Sequence, residues 1–503
     1  MNNKERKSVL ISPPERHNFE LLTERERFRE DYWSKKDPIL ETRLRWRAQV
    51  FRHLVHLVGG LSILEFGSGG GTFSRILRVA SRDENEITSV PLAFPETEIT
   101  LSRSRRIGLD RFVAEVREGK KYDYVVAHDM LDARNAGWFL GLVFDILKPG
   151  GRAVFFESNP WNPLLNFRRF FSARDRRLLL NRLELYELVS EIGFIRVFNF
   201  FHDFVYTVLA RVCFRTLAFL SALLENAPML KNFSATIVLH AQKPPRETAP
   251  EYRDLAEHPS LHHRVSFVIP CFDEEMNIES LVDSIRGFYD RYIHEIVLVD
   301  DNSRDATREK ILCLARGDQR IKPVLRPPPG GVGLAIRDGL AAATGDYVVS
   351  MDCDFGHLLP EFRELFSAGL ENDVVIGSRF SRSSVLLNYP FGKIIANRIF
   401  HILFRLLFRR RCRDLTNNLK IFRREVVDAL CLESPGFSVN AETGIKPLLQ
   451  GWKVREVPIS WINRGVEMGH SSFTLGKVAG GYLKVLGRAI LTYHPAARRF
   501  KKL

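Results

Sequence analysis

From Arg264 onward, short apolar runs alternate with segments of helical period, and each run ends in acid or is followed by glycine. This repeat constrains the fold more than any other feature of the chain. Val265 to Cys271 leads into Phe272-Asp273-Glu274-Glu275, with Pro270 just before the acids. Glu295 to Val299 leads into Asp300-Asp301-Asn302-Ser303, and Asp305 is placed to cap the helix that follows. A glycine corner, Gly330-Gly331-Val332-Gly333, opens a helix that carries Ala335 and closes at Thr344-Gly345-Asp346. Tyr347 to Met351 then runs straight into Asp352-Cys353-Asp354. Strands alternating with helices assemble into parallel sheets, and such sheets bind ligands outside the carboxyl ends of their strands. Singly, acidic strand ends cap helices and glycines turn the chain; three such ends ahead of a paired aspartate are harder to explain that way. Two carboxylates this close repel by about 4 kcal/mol at an effective dielectric of about 20, which a divalent cation relieves. Hard oxygen donors suit Mg2+ or Mn2+, ions that keep waters and bind phosphate oxygens.

At 503 residues the chain is too long for one ordinary core, and its hydrophobic content of 45% can fill two or three. A net charge of +14 points to an anionic partner. No nucleic-acid module accompanies the charge, so nucleotide phosphates and an anionic membrane surface are expected instead. Six cysteines without a CxxC pair read as reduced, buried thiols of a cytoplasmic protein. Residues 1–30 are rich in Lys, Arg and Glu and lack the apolar core of a secretory signal. Phe204 to Leu224 is largely apolar, but Arg211 and Arg215 would each cost about 2.5–3.5 kcal/mol at a bilayer centre. Four residues apart, they fit one face of an amphipathic helix better than a span.

The first half opens a core helix with Leu44, Ala48, Phe51, Val55 and Val58 at helical spacing, and Gly59-Gly60 ends it. Leu61 to Phe66 reads as a strand, and Gly67-Ser68-Gly69-Gly70-Gly71 as a turn into a helix, where glycine lets backbone approach a ligand. Lys121 to Leu131 reads as a central strand with a polar edge, Phe139 to Leu147 as a helix, and Leu147-Lys148-Pro149-Gly150-Gly151 as a turn into another strand ending at Glu157. From about residue 40 to Lys243 this pattern resembles the class I S-adenosylmethionine-dependent methyltransferases. The resemblance implies S-adenosylmethionine as cofactor, its amino-acid part held by Glu65, Gly67 and Gly69. At one place the chain departs from that family: Glu86 to Val90 ends in Pro91, where an acid usually takes the ribose hydroxyls, and proline offers neither carboxylate nor N–H. An active methyltransferase and a degenerate, structural or regulatory domain are both open. Asn159 to Pro163 reads equally as a substrate loop or a rigid turn.

Lys243-Pro244-Pro245 through His262-His263 is Pro-rich, charged and without apolar period, as linkers are. The expected plan is therefore a domain over 1–243, a linker over 244–263, a second domain over 264–480, and a basic amphipathic tail over 481–503. Both domains are expected to be α/β and doubly wound.

The second domain resembles the family 2 glycosyltransferases, whose nucleotide-binding fold is called GT-A. The resemblance implies that Pro270, Phe272, Glu274, Asp301 and Ala335 hold a nucleotide-sugar donor, with Asp352 and Asp354 bringing the metal to its diphosphate. Val374 to Phe380, Asn388 to Lys393, Asp414 to Arg423, Asn440-Ala441-Glu442 and Val454 to Ile459 resemble, in that order, the dolichol-phosphate mannosyltransferases and their bacterial polyprenyl-phosphate relatives. By that resemblance Arg379 and Lys393 act in catalysis by gripping the acceptor phosphate, with Arg398 and Arg464 as further candidates. Such an acceptor is already an anion and needs no strong base, and Glu442 is the one visible candidate for a base. Gly356 stands where relatives often have a metal ligand, leaving His357 or water to complete the shell, and Ser472 stands where a lysine is common. Ile394, Ile395, Ile399, Ile402, Leu403, Leu406 and Leu407 form an apolar stripe beside Arg398, Arg405 and Arg409 to Arg411. That stripe fits a core helix or one lying on anionic lipid. Together these features predict metal-dependent transfer of a hexose, mannose from GDP-mannose, to a polyprenyl phosphate by a protein held peripherally at the inner face of the membrane. Two other readings stand beside it: a family 2 transferase with a saccharide acceptor, and a methyltransferase carrying a nucleotide-sugar-binding module.

Overall fold

A computed structural model describes residues 13–33, 38–67, 69, 71–93, 99–101, 103–163, 179–204, 220–221, 223–227, 229–245, 254–354, 358–381, 384, 386–387, 389–462 and 475–493. Arg464, Gly356, His357, Ser472, Asn388, most of the stretch from Phe204 to Leu224, and everything beyond Tyr493 lie outside the described residues. The chain divides into two compact units, Met1–Ala249 and Pro250–Leu503.

In the first unit, strands β1 (Ser62–Phe66), β2 (Glu86–Val90), β3 (Ile99–Leu101), β4 (Ser104–Arg106), β5 (Tyr122–His128), β6 (Leu147–Ser158), β7 (Ile195–His202) and β8 (Thr236–Gln242) form one sheet in the order β3-β4-β2-β1-β5-β6-β8-β7. The five strands from β4 through β6 run parallel, while β8 is antiparallel to both β6 and β7. The chain winds outward from β1 through β2 and β4, then returns to β5 on the other side. That reversal creates a crevice between the carboxyl ends of β1 and β5. Apolar runs buried on both faces drive this arrangement. Ile63, Leu64 and Phe66 of β1 have no exposed surface, and Phe66 meets Phe112 and Phe139 edge-on, each at 5.4 Å.

The second unit repeats the logic with an antiparallel insertion. Strands β9 (Val265–Cys271), β10 (Ile293–Asp300), β11 (Ile321–Leu325), β12 (Tyr347–Ser350), β13 (Val374–Ser378), β15 (Lys420–Arg423) and β16 (Val454–Pro458) form a sheet in the order β11-β10-β9-β12-β15-β13-β16. The short strands β14 (Leu386–Leu387) and β17 (Trp461–Ile462) pair separately. Winding reverses between β9 and β12. Because β15 runs antiparallel between β12 and β13, its amino end lies at the same edge as the carboxyl ends of β9, β10, β12, β13 and β16. The sheet is therefore mixed, and the expectation of purely parallel strands holds only from β9 to β12.

Two expected boundaries are corrected. Leu255, Ala256 and Leu261 of the expected linker are buried, and the Leu255 amide donates to Phe288 O at 2.7 Å, so the linker's second half belongs to the second unit. The expected tail begins inside helix Leu475–Tyr493, whose Val485, Leu486 and Ala489 enter the core of that unit. Apolar period, not charge, decides the placement of this helix. The thiols also differ from expectation, since Cys313 and Cys431 are exposed while Cys271 and Cys353 are buried.

Candidate active site

The edge of the second sheet brings distant segments together. β12 pairs with β15 so that Ser350 faces Lys420. This register sets Asp352, two residues past the end of β12, beside Asn418, two residues before β15. Asn418 Nδ2 donates to Asp352 Oδ1 at 2.9 Å, and Asn418 Oδ1 accepts from Ser350 Oγ at 2.7 Å. Asp352 and Asp354 are both half-buried, with Cys353 buried between them. Lys420 has no exposed surface and donates to Asn417 O and, at 3.0 Å, to Asn440 O. Burial brings its ammonium down to about 7 against the pull of Asp414 and Asp352.

Arg379 follows β13 and is buried with Asp414. Its Nε and Nη2 donate to the two Asp414 oxygens at 2.8 and 3.0 Å, and its Nη1 to Tyr389 Oη at 3.1 Å. The rings of Phe380, Tyr389 and Trp461 surround the guanidinium at 5.6–5.7 Å. Burial opposes the Asp414 charge, yet Arg379 holds this carboxyl well below the usual carboxylate range. Arg398 lies 3.9 Å from the Phe380 ring and donates to Asn397 and to the Arg413 carbonyl. Lys393 is half-buried, and desolvation followed by the Arg379 charge lowers its ammonium.

At the adjacent strand ends, Asp301 pairs with Arg326 and accepts the Gly331 amide at 2.7 Å. Burial nevertheless raises its carboxyl. Glu274 accepts from Asn277 Nδ2 at 2.6 Å, Phe272 is 45% exposed, and Pro270 is half-buried.

Comparison with known proteins bears directly on this edge. Residues 266–431 match the model of glycosyl transferase family 2. The second unit carries a family 2 glycosyltransferase domain. Over 235 residues the chain is 31% identical to the dolichol-phosphate mannosyltransferase of Pyrococcus furiosus, covering 46% of this chain and 61% of that protein. Over 230 residues it is 27% identical to the polyprenol monophosphomannose synthase of Mycolicibacterium smegmatis, covering 44% of this chain and 85% of that protein. The chain thus spans less than two thirds of the length of the Pyrococcus relative. Among solved structures, glucosyl-3-phosphoglycerate synthase from Mycobacterium tuberculosis aligns over 48% of this chain and 84% of its own, at a TM-score of 0.36 and 22% identity.

Within the glycosyltransferase domain several expectations change. Ala335 has no exposed surface and belongs to the apolar core with Val268 and Val299, so it packs rather than facing a donor. The glycine corner serves packing too: a Cβ on Gly331 or Gly333 would come within 2.5 or 2.1 Å of the Pro435 and Ser434 carbonyl oxygens. Arg379, expected at a phosphate, has its charge matched by Asp414 and holds the loop after β13 in place. Glu442 is buried, accepts the Glu433 and Ser434 amides, and pairs with Lys446 at 2.6 Å. These bonds outweigh desolvation and lower its carboxyl, which makes it a structural anion rather than a base. Arg464 and His357 lie outside the described residues.

Two half-buried carboxylates at a switch point fit a hard divalent cation that takes its remaining oxygens from ligand phosphate and water. Among the described residues no third His, Cys, Asp or Glu joins them. Sequence reasoning missed Asn418, Asp414, Arg326 and Trp461 as site residues. The Asp414 to Arg423 block was visible, but only strand register says which of its members reaches which strand end.

In the first unit the three expected cofactor residues adjoin the crevice but do not open onto it. Glu65 has no exposed surface and accepts from Ser74 Oγ. Gly67 has φ +81°, and a Cβ there would lie 2.4 Å from His128 O, so close approach of β5 requires the glycine. The Gly69 amide donates to Glu26 Oε1 at 3.0 Å. Glu26 Oε2 takes the amides of Leu92 and Ala93, just beyond the proline that ends β2. These residues do not fit S-adenosylmethionine as they stand, because the amides that would receive it are already bonded.

Proposed function

We propose that the second unit transfers a hexosyl group, mannose from GDP-mannose, to the phosphate of a polyprenyl phosphate with Mg2+ or Mn2+ at Asp352 and Asp354. The observation that carries this reading is the junction of two half-buried carboxylates with a cationic, aromatic pocket along one strand-end edge. Asp301, Glu274 and the exposed ring of Phe272 stand at the donor side, on strands adjacent to β12. On the acceptor side, Lys393 and Arg398 offer positive charge. Arg398 Nε is a buried donor without a partner among the described residues, the kind of group a bound anion satisfies.

In the proposed reaction an acceptor phosphate oxygen attacks the anomeric carbon. The bond from that carbon to the nucleoside diphosphate breaks, and configuration inverts. Bound metal would supply charge stabilisation to the departing diphosphate. Asn418 holds one Asp352 oxygen, and the Arg379–Asp414 pair fixes the loop beside Tyr389. No base is required for an anionic acceptor, which accords with Glu442 being held by amides and Lys446. A saccharide hydroxyl would need one.

Peripheral membrane contact is part of the proposal. Helix Phe391–Phe408 buries Ile394, Phe400 and Phe404 while exposing Ile395, Ile399, Ile402, Leu403 and Leu406. The first face is a core face, and the second is the one proposed to lie on lipid. Arg405 and Arg409 to Arg411 are exposed alongside, suiting an anionic lipid surface. No helix among the described residues is long and apolar enough to cross a membrane.

For the first unit we infer a class I methyltransferase-like scaffold. The support is its strand order, in which the parallel strands run third, second, first, fourth, fifth across the sheet, with the glycine turn at the switch point.

Incubation with labelled GDP-mannose, UDP-glucose or UDP-N-acetylglucosamine, polyprenyl phosphate and Mg2+ or Mn2+ tests the transferase. Label in the organic phase from GDP-mannose is the expected result. Label from another donor corrects the sugar, and none from any donor rejects the lipid acceptor.

A further inference from the structure

The crevice of the first unit is filled by the chain's own helix. Helix Pro13–Trp33 is anchored by Phe19 and Leu22, which enter the hydrophobic core, with the Phe19 ring edge-on to Trp138 at 4.9 Å. Between them and the carboxyl ends of the strands stand two consecutive charged residues, both buried. Glu26 is 1% exposed and reaches the end of β1 and the end of β2 at once. Its Oε1 accepts the Gly69 amide at 3.0 Å, and its Oε2 accepts the amides of Leu92 and Ala93, the latter at 2.8 Å. Arg25 is 6% exposed and reaches the ends of β5 and β6. It donates through Nε to Asp129 O at 2.8 Å and through Nη1 to Asp132 Oδ2 at 3.0 Å, with Nη2 at 3.7 Å from Glu157 Oε2.

A buried carboxylate is costly unless it is hydrogen-bonded. Here three backbone N–H groups of the glycine turn and of the turn after β2 converge on one. Amides converging at the carboxyl edge of an α/β sheet form an anion site, and in this chain the anion is a side chain of the same unit. Desolvation raises the Glu26 carboxyl despite those three bonds, so its burial is maintained by the helix and not by favourable ionisation.

We propose that Glu26 is an internal stand-in for a ligand carboxylate, and that helix Pro13–Trp33 latches the first unit shut, so that an adenosyl amino acid enters only when the helix is displaced. The ligand class rests on the methyltransferase-like reading of this unit; the latch rests on the bonds of Glu26 and Arg25 alone. Displacing the helix also takes Arg25 from Asp129 and Asp132 and Phe19 and Leu22 from the core, while Gly69 is already in the left-handed conformation, φ +58°.

The test uses the full chain. Titration calorimetry with S-adenosylhomocysteine up to about 1 mM is expected to show no binding to the unmodified protein and at least about tenfold tighter binding to Glu26→Ala. Glu26→Gln, which keeps the volume but places an N–H donor against a backbone N–H, should give an intermediate gain and guards against a variant that fails to fold. Hydrogen exchange on the unmodified chain reads the latch without any variant. The amides of Gly69, Leu92 and Ala93 should exchange slowly and be unchanged by the ligand. Fast exchange at those amides, or binding to the unmodified protein as tight as to Glu26→Ala, overturns the latch. If the variant frees the three amides and still binds nothing, the ligand class falls together with the methyltransferase-like reading.

Discussion

Both units place polar chemistry at the carboxyl ends of strands flanking a winding reversal, and they fill that position in opposite ways. In the first, the carboxylates of Asp132 and Glu157 and the turn amides are answered by Arg25 and Glu26 of the same unit. In the second, a neutral amide, Asn418, holds Asp352, and the nearby arginine Arg379 is committed to Asp414. Charges at a strand-end crevice must be matched, since each one left buried and unpaired costs several kcal/mol. Where the chain supplies the match, the crevice is structure. Where it supplies mainly orientation, as Asn418 does for Asp352, we propose that the balancing charge comes with a ligand.

The largest effect that can break this contrast is loss of the carboxylates proposed to hold the metal. Asp354→Ala is expected to lower sugar transfer by about a thousandfold or more, because a bound cation contributes several kcal/mol to a developing diphosphate charge. The check is label transfer with Mg2+ and Mn2+ in excess, beside circular dichroism showing an intact fold. Retained transfer would place the chemistry elsewhere and make the two crevices alike.

Next is the Arg379–Asp414 pair. Asp414→Ala leaves a buried guanidinium without its counter-charge and is expected to destabilise the second unit by about 3–5 kcal/mol. Replacing both partners together should cost less than that single change, and urea unfolding of the two variants measures the difference. If Arg379 served mainly to hold a phosphate, Asp414→Ala would leave stability nearly unchanged and impair transfer alone.

A smaller effect is expected at Asn418, which touches Asp352, one of the two carboxylates proposed to hold the metal, without being one itself. Asn418→Ala should reduce transfer by about 10–100-fold, the usual cost of removing a group that orients a metal ligand. Raised metal concentration should restore part of it. Ser350→Ala, one bond further out, should show the same pattern more weakly.

The sequence was informative in an uneven way that follows from the physics. Strand ends were legible because buried parallel strands must be continuous apolar runs, so Glu65, Asp301 and Asp352 could be read as edge residues before any topology was known. Glu86 to Val90 was legible down to the proline after it. What was hidden depended on pairing across distance. Nothing local to Asp414 announces Arg379, and Asn418 meets Asp352 only because β15 runs antiparallel with Ser350 opposite Lys420. Glu26 was equally silent, one acid among many in a charged helix until the fold brings three amides to it. Ala335 and Glu442 show the reverse failure: a family's pattern was present, but burial of one and amide capture of the other assign them to packing.

The smallest effect separates the two units by the sign of their response to pH. Glu157, buried beside Asp129, has its carboxyl pushed up to about 8 from 4.5, desolvation first and the Asp129 charge second, only partly offset by Arg25. Between those values the folded first unit holds more proton than the unfolded chain, so its stability falls as pH rises through that window and levels off above it, by at most about 1.4 kcal/mol per pH unit for one group. His401 in the second unit is the opposite case. Its Nδ1–H donates to Asn397 O at 2.7 Å and its Nε2 accepts the Leu415 amide at 2.8 Å. Burial holds its imidazole down at about 4, from 6.5. That unit keeps the contribution above pH 6.5 and loses it as pH falls toward 4. Hydrogen exchange followed from pH 5 to 8 reports each unit's core amides separately. Burial also holds the imidazoles of His53, His56 and His240 in the first unit low, which adds a rise of stability with pH below 6.5, so the contrast is read between pH 6.5 and 8: the first unit is expected to lose stability there, with Glu157→Gln flattening the fall and leaving the second unit untouched. No fall of the first unit's stability between pH 6.5 and 8 would mean that its acidic strand ends are solvated rather than sealed, and the contrast between a closed crevice and a ligand-ready one would lose its physical basis.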